Sequence, residues 1–224
     1  GIVGYGNIGK NVAIRAAAFG CRVIATVGRS VPPRCPPELD WLGGGGDLPA
    51  LLEKSDFVVV ACPLNEKSVG LIGAAQLASM KRTACACPAT RSTSLPLPSA
   101  CDLASLGGST MTCRVLLAAD LINVARGPVV DEAALYAALR DGAIGGAAID
   151  VWYRLPEVAS GQRECAPYDL AKHPFHALPN VILSPHTSGW SGAQIERRIA
   201  LMAANLDAVA RGRSPRNVVF SAPA

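Results

Sequence analysis

The sequence predicts an α/β fold with a doubly wound parallel sheet and helices on both faces. Short apolar runs alternate with stretches of helical periodicity along most of the 224 residues. The run at residues 57–61, Phe-Val-Val-Val-Ala, is unbroken, as expected for a parallel strand that is covered on both faces. A hydrophobic content of 50% is sufficient for the core of one large domain, which we take to be residues 1–224.

The first element is a strand that enters a helix through a glycine-rich turn, GIVGYGNIGK. Gly4, Gly6 and Gly9 have the GxGxxG spacing of a dinucleotide-binding turn. Gly4 permits the tight turn, Gly6 lets the backbone approach a pyrophosphate, and Gly9 lets the helix pack on the strand. A turn used only for packing is the alternative for this motif alone. The predicted phosphate-binding residues of this Rossmann-type unit, which include the start of the helix, are Gly4, Gly6, Asn7, Ile8 and Gly9.

The second strand, predicted over residues 21–27, ends without an acidic residue. In a dinucleotide-binding unit this position usually carries an Asp or Glu that hydrogen-bonds the adenosine ribose. Here it is Val27, followed by Gly28, Arg29 and Ser30. The absence of an acid removes repulsion of a 2′-phosphate, and an arginine can pair with one. We therefore expect NADP or NAD as cofactor, with NADP favoured and bound by Arg29 and Ser30; an ordinary surface arginine is the alternative for Arg29.

The other elements are placed by periodicity and by start and stop residues. The first helix is expected over 7–19 with Gly20 as its stop, and its predicted buried face carries Ile8, Val12, Ala16 and Phe19. Residues 31–46 are rich in Pro and Gly and predict a loop. Later helices are expected at 48–54 with Asp47 as its cap, 74–80, 131–142 with Asp131 as its cap, and 191–211; later strands are expected at 57–61, 121–125, 147–151 and 181–184.

Residues 86–120 do not fit this pattern. The stretch has no Lys or Glu and lacks helical or alternating periodicity for most of its length. An insertion of this size is unusual inside a compact domain. We expect a disordered insertion that contributes no chemistry, and translated non-coding sequence is the alternative.

Charge and hydropathy argue against two classes of function. The net charge is +4, but Lys and Arg are scattered rather than clustered, which argues against a nucleic-acid surface. No apolar run approaches the roughly 20 residues that cross a bilayer, so we expect a soluble, cytoplasmic protein with no membrane partner. The chain begins inside a strand and without Met. We therefore expect an N-terminal portion to be missing, which leaves an organelle open as the location.

The eight cysteines form no CxxC pair and no regular spacing. Cys85 and Cys87 make a lone CxC, and no further ligands lie at a spacing suited to zinc. We therefore expect free thiols in a reducing compartment and no metal site.

A long run in the second half, LINVARGPVVDEAALYAALRDGAIGGAAIDVW at residues 121–152, closely resembles the signature of the D-isomer-specific 2-hydroxyacid dehydrogenases. Three further stretches agree in order: GIVGYGNIG at 1–9, SDFVVVACPLNEKSVGLIG at 55–73 and LPNVILSPHTSGW at 178–190. The resemblance implies the NAD(P)-binding domain of an oxidoreductase that transfers hydride between NAD(P)H and a small 2-keto or 2-hydroxy acid. It also implies a homodimer.

The resemblance assigns two catalytic residues. Arg126 matches the arginine that binds the substrate carboxylate and polarises the keto oxygen, and its planar fork suits a carboxylate. His186 matches the general acid and base that gives a proton to the carbonyl oxygen, a role that suits imidazole near neutral pH. A surface arginine and a loop histidine are the alternatives.

The resemblance also assigns the rest of the cofactor site. Asp150 matches the residue that accepts a hydrogen bond from the nicotinamide carboxamide and so fixes which face of the ring is presented. Ser188 and Gly189 would complete that pocket, and the backbone of Val124 and Ala125 would line it. Cys62 and Pro63, which follow the strand at 57–61, would pack near the adenosine half.

The chain departs from the family pattern in two ways. The family places a Glu or Gln five residues after the aspartate, where it orients the histidine, whereas this sequence has Leu155; Glu157 could substitute only if the loop backbone shifts. Without that partner we expect the activity optimum to lie toward acid pH. The family's substrate domain is also absent from the sequence, so we expect this chain alone to bind a dinucleotide but to turn over poorly.

Two other functions compete with the reductase. A dinucleotide-sensing relative that recognises a protein partner is favoured by Leu155 and by the absent domain, whereas Arg126 and His186 argue against it because a sensor needs neither. A hydrolase resembling adenosylhomocysteinase is disfavoured by the Arg-Gly and Pro-His motifs.

Overall fold

A computed structural model describes residues 1–28, 30–81, 120–154 and 171–218. Seven strands form one sheet in the order β3-β2-β1-β4-β5-β6-β7, and every neighbouring pair is parallel. The sheet confirms the predicted doubly wound α/β fold, and its order changes direction between β1 and β4. The strands are β1 (Ile2–Val3), β2 (Ile24–Thr26), β3 (Trp41–Gly43), β4 (Phe57–Val60), β5 (Asp120–Asn123), β6 (Gly146–Ile149) and β7 (Val181–Leu183).

The predicted helices are all present in the described residues. They are α1 (Asn7–Ala18), α2 (Leu48–Lys54), α3 (Ala74–Ser79), α4 (Glu132–Arg140) and α5 (Gly192–Ala210). Asp131 caps α4 as predicted, because its side chain accepts a hydrogen bond from the Ala134 N–H at 2.7 Å. Asp47 is the N-cap residue of α2 as predicted, but its side chain makes no capping hydrogen bond to the helix. Its carboxylate instead accepts a hydrogen bond from the Gly44 N–H, at 2.8 Å.

The prediction that residues 31–46 form a loop is wrong, because these residues contain the edge strand β3. Trp41, Leu42 and Gly43 pair in register with Ile24, Ala25 and Thr26 of β2. Three residues are too few to show alternation, and the glycines that follow β3 resemble turn punctuation. The strand is therefore defined by its pairing with β2 and not by a local pattern.

The face of α1 that packs on the sheet matches the predicted one only in part, since Val12 and Ala16 pack against the apolar cluster there. Ile8 and Phe19 are 53% and 88% exposed, whereas Gly9 and Ala13 are buried. A Cβ on Gly9 would lie 2.3 Å from the carbonyl oxygen of Gly4, so α1 meets β1 through this glycine. The buried face of α1 is therefore the one on which its backbone comes closest to β1, and not the one that carries the largest apolar side chains. Gly20, at φ +79°, follows the end of α1 as predicted.

Each face of the sheet has its own apolar cluster. Helices α2, α3 and α4 cover one face, and α1 lies on the other. The first cluster includes Val3, Leu51, Leu52, Val58, Leu77, Leu121 and Leu135, and the second contains Ile2, Ala13, Val23, Ala25 and Leu39. Full burial of a Val or Leu side chain contributes about 1.5–3 kcal/mol. The two clusters confirm the prediction that helices lie on both faces of the sheet.

The chain divides into two units, Gly1–His186 and Thr187–Ala224. The described part of the second unit contains α5, whose N-terminus is capped by Ser191. Its apolar side chains form the predicted stripe, but no α5 residue is buried. The exposed stripe consists of Ile195, Ile199, Met202, Leu206 and Val209. Among the helices that the structure describes, none is both long enough and apolar enough to cross a membrane.

Several expectations fall on residues outside the described ranges. The stretch 86–120 lies almost wholly there, as do Arg29, Leu155 and Glu157. Their predicted roles therefore stay predictions. In the described residues Cys21, Cys35 and Cys62 are free thiols.

Asp120, the first residue of β5, is an acid buried at the amino edge of the sheet. It is 8% exposed, and among the described residues its Oδ1 has no hydrogen-bond partner. Burial raises the pKa of Asp120, because desolvation disfavours the charged carboxylate. The folded protein therefore favours the protonated acid, and ionisation of Asp120 costs stability.

We predict that Asp120→Asn stabilises the protein near neutral pH more than at acid pH. Below its unfolded-state pKa of about 3.9, Asp120 is neutral in both states and carries no penalty. The penalty develops as the pH rises through the raised pKa of the folded state. The expected gain at pH 7.5 is about 1 kcal/mol, which corresponds to about 2–4 °C in Tm for a chain of this size.

Thermal unfolding of both proteins at pH 4.5 and 7.5 measures this effect. The matched control is Asp56→Asn, which removes an exposed acid paired with Lys81 and should change Tm little at either pH. An Asp120→Asn gain that is the same at both pH values, or a loss at pH 7.5, contradicts the prediction.

Candidate functional site

The predicted site residues of the first unit lie at or beyond the carboxyl ends of the strands. Ligands of open parallel sheets bind in the crevice outside this edge, at the point where the strand order changes direction. That point lies between β1 and β4, where Gly4 and Cys62 meet. Gly4 has φ +100°, and a Cβ there would lie 2.6 Å from both Cα and N of Cys62. Gly4 is therefore required both by its conformation and by this contact.

The glycine turn is held by backbone hydrogen bonds to β2. The N–H groups of Gly4 and Tyr5 both donate to the Thr26 carbonyl at 3.0 Å, and the Gly6 N–H donates to the Gly4 carbonyl at 3.0 Å. Gly6 then forms the N-cap of α1 in an extended conformation. Hydrogen bonds within the protein therefore define the shape of the turn.

Gly6 differs from the other two glycines of the motif in its surroundings. A Cβ on Gly6 would meet no atom within 4 Å, whereas one on Gly9 would lie 2.3 Å from the Gly4 carbonyl oxygen. The protein's own packing thus requires Gly4 and Gly9 and leaves the space beside Gly6 open. This open space suits a phosphate group close to the backbone, so the residues present fit a dinucleotide.

The start of α1 is compatible with an anion. No side chain caps the helix, and no acidic residue lies in its first turn. Asn7 and Ile8 are exposed there. The first N–H groups of a helix lack partners within the helix and carry partial positive charge, which favours a phosphate at this end of α1.

The adenosine side of the predicted site is built around the end of β2. Val27 is buried, and its N–H donates to the Gly43 carbonyl at 3.0 Å, so its side chain faces the core and not a ligand. Gly28 and Ser30 are exposed. No carboxylate is therefore present at the position that usually reads the ribose.

A side-chain contact ties the glycine turn to the segment that follows β2. The Tyr5 hydroxyl donates a hydrogen bond to Oε1 of Glu38. This hydrogen bond lowers the pKa of Glu38, since it stabilises the carboxylate. Neither residue carries a local sequence signal for this contact, because the two are separated by 33 positions.

Arg126 leaves β5 in a turn that is closed by Asn123. The buried Asn123 side chain accepts a hydrogen bond from the Ala125 N–H at 3.1 Å and donates one to the Arg126 carbonyl at 3.4 Å. The Arg126 side chain is exposed, and its Nη1 donates to the Ala125 carbonyl at 2.6 Å. Val124 is half-buried within the same turn.

Asp150 follows β6 and is only 5% exposed. Its N–H donates to the Asn123 carbonyl at 3.2 Å, and its Oδ1 accepts a hydrogen bond from the Ser184 hydroxyl. Ser184 follows β7. The ends of β5, β6 and β7 are therefore joined through Asn123, Asp150 and Ser184.

His186 lies two residues beyond Ser184 and is half-buried. Its backbone has φ +62°, the left-handed region that L-residues other than glycine rarely adopt. Such conformations concentrate at functional sites, where the surrounding structure holds them.

Within the first unit, the structure brings the predicted residues at the strand ends to one edge of the sheet. The glycine turn, Cys62, Arg126, Asp150 and His186 follow β1, β4, β5, β6 and β7 respectively, which are neighbours in the sheet. Pro63 follows Cys62 and is exposed. Ser188 and Gly189 belong to the second unit, in the exposed turn closed by the Trp190 N–H and the Thr187 carbonyl.

Asn123 and Ser184 were not among the residues predicted from the sequence. Asn123 could have been found, because asparagine side chains often accept a hydrogen bond from the backbone N–H two residues later and so mark a turn. Ser184 gave no comparable signal, because its partners come from another strand. In the described part of the chain no group of three His, Cys, Asp or Glu side chains could hold a metal.

We predict that alanine substitutions at two glycines of the turn act on different properties. Gly9→Ala forces α1 away from the Gly4 carbonyl, so we expect a loss of about 1–3 kcal/mol of stability. Gly6→Ala adds a methyl group to open space, so Tm should change by less than about 2 °C. NADPH affinity should nevertheless fall about 10-fold or more, because that methyl group occupies the space of a phosphate.

Thermal unfolding and NADPH titration followed by nucleotide fluorescence separate the two effects. Gly46→Ala is the control, since a Cβ there also meets no atom within 4 Å and Gly46 lies outside the predicted cofactor site. A Gly6→Ala variant that binds NADPH as tightly as the wild type contradicts the site assignment.

The comparison with known proteins agrees with this geometry. A family model described as "D-isomer specific 2-hydroxyacid dehydrogenase, NAD binding domain" matches residues 1–95 and 115–188. A glyoxylate reductase of Korarchaeum cryptofilum (strain OPF8) is 34% identical over 223 residues, which cover 98% of this chain and 51% of that protein. The chain thus spans about half the length of the curated relatives it matches.

Two solved structures are similar as well. A D-isomer specific 2-hydroxyacid dehydrogenase from Xanthobacter autotrophicus Py2, in complex with NADPH and MES, gives a TM-score of 0.67 at 28% identity over 98% of this chain and 69% of that one. D-lactate dehydrogenase with NAD⁺ from Lactobacillus jensenii gives 0.65 at 26% identity over 98% and 55%. This chain belongs to the D-isomer specific 2-hydroxyacid dehydrogenase family and contains its NAD-binding domain.

Proposed function

We propose that the chain is the cofactor-binding part of an NAD(P)-dependent reductase that acts on a small 2-keto acid. The observation that carries the proposal is the order of residues along one edge of the sheet. The glycine turn, Arg126, Asp150 and His186 follow neighbouring strands. A phosphate site thus lies on the same edge as a carboxylate-binding cation, a hydrogen-bond acceptor and a proton donor.

Each of these residues has a role that its chemistry supports. The Arg126 guanidinium has five N–H donors, so it can bind a substrate carboxylate in bidentate fashion and polarise the keto oxygen. His186 holds a proton for the carbonyl oxygen, since imidazole gains and loses one near neutral pH. The bound dinucleotide supplies the hydride.

The remaining residues position the cofactor. Asp150 accepts a hydrogen bond from the nicotinamide carboxamide, and the backbone of Val124 and Ala125 lines the ring. Ser188 and Gly189 are proposed as further cofactor-binding residues, and Cys62 and Pro63 are proposed to bind the adenosine half. Alignment of the hydride and the proton with the carbonyl group is the protein's main contribution to the rate.

NADP is the proposed cofactor because the end of β2 offers no carboxylate. Val27 is buried, and the exposed positions beside it are Gly28 and Ser30. Arg29 is proposed to pair with the 2′-phosphate. Of the two similar structures described above, one contains NADPH and the other NAD⁺.

The assembled protein is proposed to be a cytoplasmic homodimer. The cytoplasm is a reducing compartment, which suits eight cysteines without a disulfide framework. Because the chain spans about half of its relatives' length, we expect it to bind a dinucleotide alone but to turn over substrate poorly, with keto-acid specificity set largely by residues outside it.

We predict that the chain binds NADPH about 10-fold more tightly than NADH, and that Arg29→Ala removes this preference. An arginine–phosphate pair contributes about 1.5–3 kcal/mol, which corresponds to a 10-fold or larger change in Kd. Fluorescence titration with both nucleotides measures it. Arg34→Ala, at an exposed position five residues further along the chain, is the control, and a wild-type preference for NADH would contradict the assignment.

Oxidation of NADPH at 340 nm with glyoxylate or hydroxypyruvate tests the reaction. The sensing alternative is favoured by Leu155, which replaces the family's acidic partner of the histidine. A longer form of the protein that binds NADPH and reduces neither acid would support the sensor. The reductase is supported if the longer form reduces one of these acids and the Arg126→Ala and His186→Asn variants do not. Fast turnover by this chain alone would overturn the expectation that it needs further residues.

A further inference from the structure

Ser184 makes three hydrogen bonds that connect β6 and β7 at the edge of the sheet that carries the site. Its N–H donates to the Ile149 carbonyl at 3.0 Å. Its carbonyl accepts a hydrogen bond from Nε1 of Trp152 at 2.8 Å, and its hydroxyl donates to Oδ1 of Asp150. Both backbone polar groups of Ser184, its N–H and its carbonyl, are therefore held by hydrogen bonds, and its side chain points at the Asp150 carboxylate.

The Asp150 carboxylate needs such partners because it is almost fully buried. A buried charge is tolerated only when hydrogen bonds replace its lost hydration. Hydrogen bonds from neutral donors to a carboxylate are short and directional. The hydroxyl at Oδ1 therefore restricts rotation of the carboxylate about its Cβ–Cγ bond and sets the plane in which its acceptor sites lie.

We propose that Ser184 is a positioning residue that orients the Asp150 carboxylate toward the nicotinamide carboxamide. This inference rests on the proposed function, in which Asp150 accepts a hydrogen bond from that group. Ser184 acts through Asp150 and contacts no reacting atom. It also fixes the point from which Pro185 and His186 leave β7, so the same residue links the acceptor for the nicotinamide to the proton donor.

Calorimetric titration with two ligands tests the proposal. NADP⁺ contains nicotinamide, whereas 2′-phospho-ADP-ribose is the same molecule without it. Ser184→Ala should weaken NADP⁺ binding about 5- to 10-fold and change binding of 2′-phospho-ADP-ribose less than 2-fold. Ser184→Thr, which keeps the hydroxyl, should restore wild-type affinity for NADP⁺.

A double-mutant cycle shows whether the effect passes through Asp150. Asp150→Ala alone should weaken NADP⁺ binding, and addition of Ser184→Ala should weaken it little further, because either change alone already removes the hydrogen bond between the two side chains. Ser79→Ala is the matched control: Ser79 is also half-buried, and its hydroxyl donates to the Gln76 carbonyl at 2.8 Å in α3. It should change neither affinity.

Each other outcome has a distinct meaning. An equal loss for both ligands after Ser184→Ala would show a general structural role and overturn the proposal, as would no loss for either. Additive effects in the cycle would overturn the link to Asp150. A wild-type chain that binds 2′-phospho-ADP-ribose and NADP⁺ equally would overturn the assigned role of Asp150 and this inference with it, whereas a chain that binds neither would overturn the proposed function itself.

Discussion

The close approach of α1 to β1 is the constraint on which the rest of the site depends. A Cβ on Gly9 would collide with the Gly4 carbonyl, and a Cβ on Gly4 would collide with the backbone of Cys62. These contacts bring the start of α1 to the point where the strand order changes direction. Because parallel pairing fixes the register from β4 to β7, the positions at which Arg126, Asp150 and His186 leave the sheet are fixed in turn.

Much of the fold could be predicted because its signals are local. Unbroken apolar runs identified the central strands, and Asp131 and Gly20 marked helix ends that the structure confirms. The errors arose where tertiary contacts decide. The three-residue strand β3 exists through pairing with β2, and the buried face of α1 is chosen by a backbone contact at Gly9 that no hydrophobic pattern encodes.

The candidate site was predictable to a different extent. The positions of Arg126, Asp150 and His186 at strand ends follow from motifs, and the structure places them there. The groups that hold them could not be predicted equally well. Asn123 acts within its own turn and leaves a local signal, whereas Ser184 meets Asp150 across 34 positions and Tyr5 meets Glu38 across 33. Contacts of this kind depend on the assembled sheet.

The left-handed backbone at His186 limits which amino acids this position can accommodate. Outside glycine, such a conformation costs roughly 1–2 kcal/mol for most L-residues, while His, Asn and Asp adopt it more readily. A lysine or glutamate could in principle move a proton here, but each would add this conformational cost to the change in chemistry. The backbone conformation therefore restricts this position independently of the proton-transfer role proposed for it. Asparagine is the replacement that removes the imidazole and best preserves the path of the chain.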